Sequence, residues 1–265
     1  MSDFIPGENP IRLRVEDGIA TVTLDRPAQR NALSIEAMNG LYEAWESIDK
    51  NSEVRVAILT STDCGTFCAG MDLKQTAAIK RDTGRDVLSF MKDPFHYRMR
   101  RVRVPIIAAM TGHLMAGGML MSLNSDLRVG LVGTNVGITE SKIGRGSPWA
   151  MPLLWMMPQP LLMEMVLTAD LFPIERLHEV GFINHLEPTP DEVRARALSL
   201  AQRIRDNAPL SVTAGKRSIL TAMSVGCDNG LEMAWHIYRE AYDSDDAQEG
   251  ARAFAEKRLP RWTGQ

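Results

Sequence analysis

The sequence predicts an α/β fold over its first two-thirds, followed by a helical C-terminal region. Up to residue 188, short runs rich in β-branched and small apolar residues alternate with stretches of helical period. From Thr189 onward only helical periodicity is left. These two observations divide the chain into an α/β core, 1–188, and a helical C-terminal region, 189–265, suited to assembly.

The first strand signal is Ile19–Leu24, where Ala20, Val22 and Leu24 alternate with Ile19, Thr21 and Thr23 until RPAQRN breaks the period. Ser34 then stands where a helix cap is needed, and Met38, Leu41, Trp45 and Ile48 follow at helical spacing. VRVAILT then reads as a buried strand. PIIAAMTG and DLRVGL repeat that texture, which implies crossover helices between parallel strands, and helical segments run from Trp149. Thr189 and Pro190 open a helix with Val193, Ala197, Leu200, Ala201 and Ile204 on one face. Two more helices fit Leu210–Ser224 and Asn229–Ala241, divided at Gly226.

With 45% hydrophobic and 24% charged residues, the chain has the balance of a globular protein able to bury a sizeable core. Its 33 acids against 30 bases and 5 histidines leave a formal charge of −3, so no overall basic field points to nucleic acid or a membrane surface. The local exception is Arg98, Arg100, Arg101 and Arg103, which suit a solvated face or an anion. Cys64, Cys68 and Cys227 cannot all pair within one chain, and their spacing has no zinc pattern. MSDFIPGENP has no apolar signal core, and no run approaches a membrane span. The expectation is a cytoplasmic protein in a reducing compartment, without a metal.

Two glycine sites, Gly70 in FCAGMDLK and the pair Gly117, Gly118 in HLMAGGMLM, both follow a β-like run and precede a helix. Such a turn leaves the first helical N–H groups unpaired and partly positive, which suits an oxyanion. Asp72 is the natural cap of the first helix. Two N–H groups converging from two such turns would form an oxyanion hole, each donor worth about 2.7 to 4 kcal/mol to a transition state. Neither cluster continues into the Lys-Ser or Lys-Thr of a phosphate loop, and no GxSxG is present.

RPAQRNALS, TFCAGMDL, PIIAAMTGHLMAGGMLMSLNSDLRV, VGITESKIG and LTADLFPIERLHEVGFINHL, in this order, resemble the crotonase, or enoyl-CoA hydratase/isomerase, superfamily. The resemblance covers most of the chain. It implies a ClpP/crotonase-like fold of repeated ββα units with a helical trimerisation region, assembled as a trimer or a hexamer. It also implies an acyl-CoA thioester as substrate and no separate cofactor. The backbone N–H groups of Met71 and Gly117 would hold the thioester oxygen as it becomes an enolate. For CoA, the resemblance points to Arg30 and to the Ala69, Met71, Asp72, Leu73 and Lys74 segment, with the Ala69 carbonyl facing the adenine amine. Lys257 would reach the CoA of a neighbouring copy.

Hydratases of the superfamily typically carry two glutamates, and the matching positions here are Leu120 and Glu140. One carboxylate suffices to lift a proton from one carbon and return it at another. AGGMLMSLNSDLRV, ITESKIG, SPW and LFP are most similar to the Δ3,Δ2-enoyl-CoA isomerases of the superfamily, so double-bond isomerisation with Glu140 as acid and base is the expectation. Hydration of a 2-enoyl-CoA or a related dehydration is the alternative, and a non-catalytic acyl-CoA binder is the alternative outside enzymology.

Overall fold

The computed structural model describes residues 9–265; residues 1–8, which hold most of the stretch read for a signal core, lie outside them. Among the described residues, ten strands build two sheets. The large sheet contains β1 (Ile11–Glu16), β2 (Ile19–Leu24), β3 (Val56–Ser61), β5 (Ile106–Met110), β7 (Leu127–Leu131) and β10 (His185–Glu187), side by side in that order. Only β1 is antiparallel, as the outer arm of a hairpin closed at Asp17–Gly18. The small sheet contains β4 (Thr66–Cys68), β6 (His113–Met115), β8 (Asn135–Gly137) and β9 (Phe172–Pro173), with the first three parallel.

The two sheets alternate along the chain. A strand of the large sheet is followed by one of the small sheet in β3–β4, β5–β6 and β7–β8, and each pair runs into a helical segment. After β4 comes α2 (Leu73–Thr83), after β6 comes α4 (Gly117–Asn124), and after β8 a 3-10 turn, Glu140–Ile143. Three adjacent parallel strands therefore release their chain ends side by side, which is where α/β proteins place ligands.

The helix α1 (Ile35–Lys50) starts where the sequence asks: Ser34 accepts from the Ala37 N–H at 3.2 Å, and Met38, Leu41, Trp45 and Ile48 are buried. They join Ala20, Val22 and Leu24 in the main core. On the other face of the large sheet lies α7 (Pro190–Arg205), capped by Thr189, with Val193, Ala197 and Ala201 packed on Ile19, Val56, Ile58 and Ile107. The strand β3 is buried along its whole length because it is covered from both sides.

Between these parts lie the short α3 (His96–Met99), α5 (Gln159–Thr168) and α6 (Ile174–Glu179). Residues Pro148–Trp155 form a 3-10 helix. The chain ends in α8 (Pro209–Val225), α9 (Cys227–Tyr242) and α10 (Asp246–Ala255), with the break between α8 and α9 at Gly226, φ +84°. Arg98 departs from the sequence reading of a solvated arginine face. It is buried and paired with Glu46 and Asp49 at 2.8 and 2.7 Å, while Arg103 donates to the Asn51 and Val54 carbonyls. Their partners lie some fifty residues away, out of reach of a local pattern.

Candidate active site

The segment after β4 is held against the loop before α1. Leu33 and Met71 form an isolated parallel bridge, with the Leu33 N–H donating to the Gly70 carbonyl at 2.8 Å and the Asp72 N–H to the Leu33 carbonyl at 2.9 Å. A parallel bridge of this kind uses the groups on either side of Met71 and turns the Met71 N–H away from Leu33. Among the described residues that N–H has no partner. The Ala69 N–H donates to the Arg30 carbonyl at 3.2 Å, so Arg30 runs beside the 69–74 segment.

Asp72 caps α2 by accepting from the Gln75 N–H at 3.1 Å, and its other oxygen pairs with Arg26 at 2.9 Å. Both of its oxygens are thus engaged in fixing the turn. Gln75 in turn accepts from the Ile35 N–H at 2.8 Å and donates to Glu36, so the two segments are laced together on both sides of Met71. Buried Asn31, which no local sequence pattern singles out, donates to the Thr62 and Thr66 carbonyls at 2.9 Å each. It adopts φ +52°, a conformation asparagine tolerates better than most residues.

Gly117 opens α4, so its N–H has no carbonyl one turn earlier to bond. The preceding Ala116 is held at φ +48° by its N–H, which donates to the Gly137 carbonyl at 2.9 Å. A Cβ on Gly117 would stand 2.6 Å from Leu33 Cδ1 and 3.4 Å from Gly70 Cα. The two turns that carry the Met71 and Gly117 N–H groups therefore touch. Gly118 is needed for a different reason. A Cβ there would lie 2.7 Å from the Cys68 carbonyl oxygen, so the helix can pack on β4 only without one. Burial pushes the Cys68 thiol beneath it up to about 12, which keeps it neutral.

Glu140 begins the 3-10 turn three residues after Gly137, the residue tied to Ala116. Its carboxyl is half-buried and makes no ion pair among the described residues. Oε1 accepts a hydrogen bond from the Trp149 indole at 3.1 Å, and Oε2 is buried with no partner. Burial holds the acid above the usual carboxylate range, opposed in part by the Trp149 hydrogen bond and by the nearby Glu140 and Thr139 backbone dipoles. Leu120, one turn into α4, packs partly buried against the core, and α4 carries no acid at all.

Arg30, Leu73 and Lys74 are exposed at the edge of this arrangement. Lys257 belongs to another part of the chain, the turn at φ +55° that follows α10. A cavity of about 1080 Å³ lies elsewhere, bounded by His96, Arg100, Trp155 and the helices α8 and α9. Among the described residues no cluster of histidine, cysteine and acidic side chains could hold a metal, and no helix is long and apolar enough to cross a membrane.

Two unpaired N–H groups from touching turns, with a raised carboxyl on the neighbouring strand end, form a site that could stabilise an oxyanion while moving a proton. Residues 14–265 match the model of the enoyl-CoA hydratase/isomerase family. The chain belongs to that family. It is 36% identical over 249 residues to an enoyl-CoA hydratase, EchA19, of Mycobacterium tuberculosis, covering 91% of each chain. It is 31% identical over 269 residues to an (E)-benzylidenesuccinyl-CoA hydratase of Thauera aromatica, covering 96% of this chain and 99% of the other. An enoyl-CoA hydratase structure from Bacillus anthracis superposes with a TM-score of 0.90 at 26% identity, over 97% of this chain and all of that one. The fold is the crotonase fold, and the protein is an enoyl-CoA hydratase or isomerase.

Proposed function

We propose that this family member binds an enoyl-CoA thioester with its carbonyl oxygen on the Met71 and Gly117 N–H groups and shifts the double bond with Glu140 as its single acid and base. The observation that carries this reading is the Glu140 carboxyl three residues beyond Gly137, the residue tied to Ala116 at the turn of the Gly117 N–H, with apolar Leu120 on the helix that Gly117 opens. Glu140 takes a proton from C2 of a 3-enoyl-CoA, and the electron pair spreads over a dienolate whose charge rests on the thioester oxygen. The two N–H dipoles stabilise that charge as it develops. Glu140 then returns the same proton at C4, and the double bond ends conjugated with the carbonyl.

For CoA, exposed Arg30 and Lys74 supply charge toward its phosphates, the Ala69 carbonyl accepts from the adenine amine, and Lys257 comes from a neighbouring copy. Met71, Asp72 and Leu73 line the same edge, Asp72 through its backbone because its carboxylate is committed to Gln75 and Arg26. The scheme uses no cofactor, since the CoA thioester is itself the substrate. Free Cys64, Cys68 and Cys227 suit a reducing cytoplasm.

A second reading, hydration of a 2-enoyl-CoA, is favoured by the hydratase names of the relatives. It needs a water held and deprotonated where Leu120 now offers no acceptor. One assay separates the two. Purified protein is given a 3-enoyl-CoA and, separately, a trans-2-enoyl-CoA, and conjugation is followed by ultraviolet absorbance with Glu140→Ala alongside. Conjugation appearing from the first substrate, and lost by a factor of about 100 or more in the variant, supports isomerisation. Conjugation lost from the second, with 3-hydroxyacyl-CoA seen by mass, makes the protein a hydratase.

A further inference from the structure

We infer that Trp149 is the positioning residue of Glu140: its indole N–H fixes Oε1 and leaves Oε2 as the one oxygen that exchanges the proton with the acyl chain. The inference rests on the reading of Glu140 as the acid and base. Its geometric basis is the asymmetry of the carboxylate. Oε1 has a donor at 3.1 Å, whereas Oε2 is buried without one, a state native side-chain oxygens rarely keep unless they serve a purpose.

A carboxylate that must serve two carbons in turn has to keep one oxygen in one place between the two transfers. A neutral donor suits this role better than a cation. An arginine or lysine at the same place would stabilise the ionised form so strongly that the acid would hold its proton poorly. The indole orients the group and lowers its proton affinity only in part against burial.

The charged groups around the turn are committed elsewhere. Lys142 pairs with Asp170, Arg145 with Asp86, and Glu164 of α5 with Arg176. The helix α4, on which the Trp149 segment packs, contributes no charge. Trp149 itself sits half-buried in the 3-10 helix Pro148–Trp155, which packs on α4, and its side chain packs against the main core. Nine residues separate Trp149 from Glu140, a spacing with no helical or strand meaning, which is why the sequence alone does not pair them.

The test compares Trp149→Phe, which keeps the ring and loses the donor, with Trp149→His, which keeps an N–H, each alone and with Glu140→Ala. Turnover of the substrate that the first assay identifies is followed across pH, with thermal midpoints to confirm folding. In Trp149→Phe, kcat should fall on the order of 10-fold with KM nearly unchanged, and the acid limb of the profile should move up by about one pH unit, the scale of one hydrogen bond to a charged acceptor. Trp149→His should restore part of both. In the Glu140→Ala background, Trp149→Phe should cost nothing further. An unmoved acid limb, or an equal loss with and without Glu140, overturns the inference. Full turnover by Glu140→Ala alone would instead remove the reading beneath it, a failure visible without any change at Trp149.

Discussion

At the scale of single residues, the burial that equips Glu140 for proton transfer also costs the fold something, and the sign can be worked out. Its folded proton affinity lies above the unfolded one, so between the two values the folded state binds more protons than the unfolded chain. Stability therefore falls as pH rises from the usual carboxylate value, about 4.3, through the raised folded value, and levels off beyond it. Glu140→Gln has no charge to bury and should lose that part of the slope. Denaturant titrations from acid to neutral pH should show the variant at least as stable as the parent at neutrality while its turnover is lost. A variant that keeps the parent's slope would mean that Glu140 is no more buried in charge than in the unfolded chain.

At the scale of elements, α4 shows how two adjacent glycines divide their labour. Gly118 faces backbone, the Cys68 carbonyl, which cannot yield, whereas Gly117 faces the flexible end of Leu33. Gly118→Ala should therefore cost about 1 to 3 kcal/mol, as overpacking does, and lower the thermal midpoint by several degrees. Gly117→Ala should hold its midpoint better and lose turnover on the order of 100-fold, because its methyl group enters the contact between the two N–H turns. Melting curves and rates on both variants check the contrast, and the reverse order would exchange the two roles. The glycine sites, the caps at Ser34, Asp72 and Thr189, and the buried faces of α1 and α7 were legible because each is a local pattern of one element. What was not legible depends on distant partners. The outer hairpin arm β1 has five of six residues exposed and so offers no alternation of burial to read. Asn31 and Trp149 matter only because Thr66 and Glu140 are brought to them.

At the scale of the whole molecule, the helices after α7 leave an apolar surface that a lone chain does not cover. Ile219 of α8 and Leu231 and Trp235 of α9 are about two-thirds exposed, as is Trp155 at the end of the 3-10 helix. Large apolar side chains gathered on neighbouring elements mark an association surface. The family resemblance suggests what covers it, further copies of the same chain in a trimer or hexamer. Whether Lys257, remote in sequence from the 69–74 segment, serves the CoA of a neighbour is then a matter for the same assembly experiment. Sedimentation equilibrium should return three or six chains per particle, and Leu231→Glu with Trp235→Glu should shift the particle toward single chains. If Lys257 serves a neighbour, dilution of that double variant should raise KM for the CoA substrate, and Lys257→Ala in the parent should raise it without altering the particle size. A single-chain particle in the parent, with KM unaffected by Lys257→Ala, would assign the exposed face to some other partner and return Lys257 to the solvent.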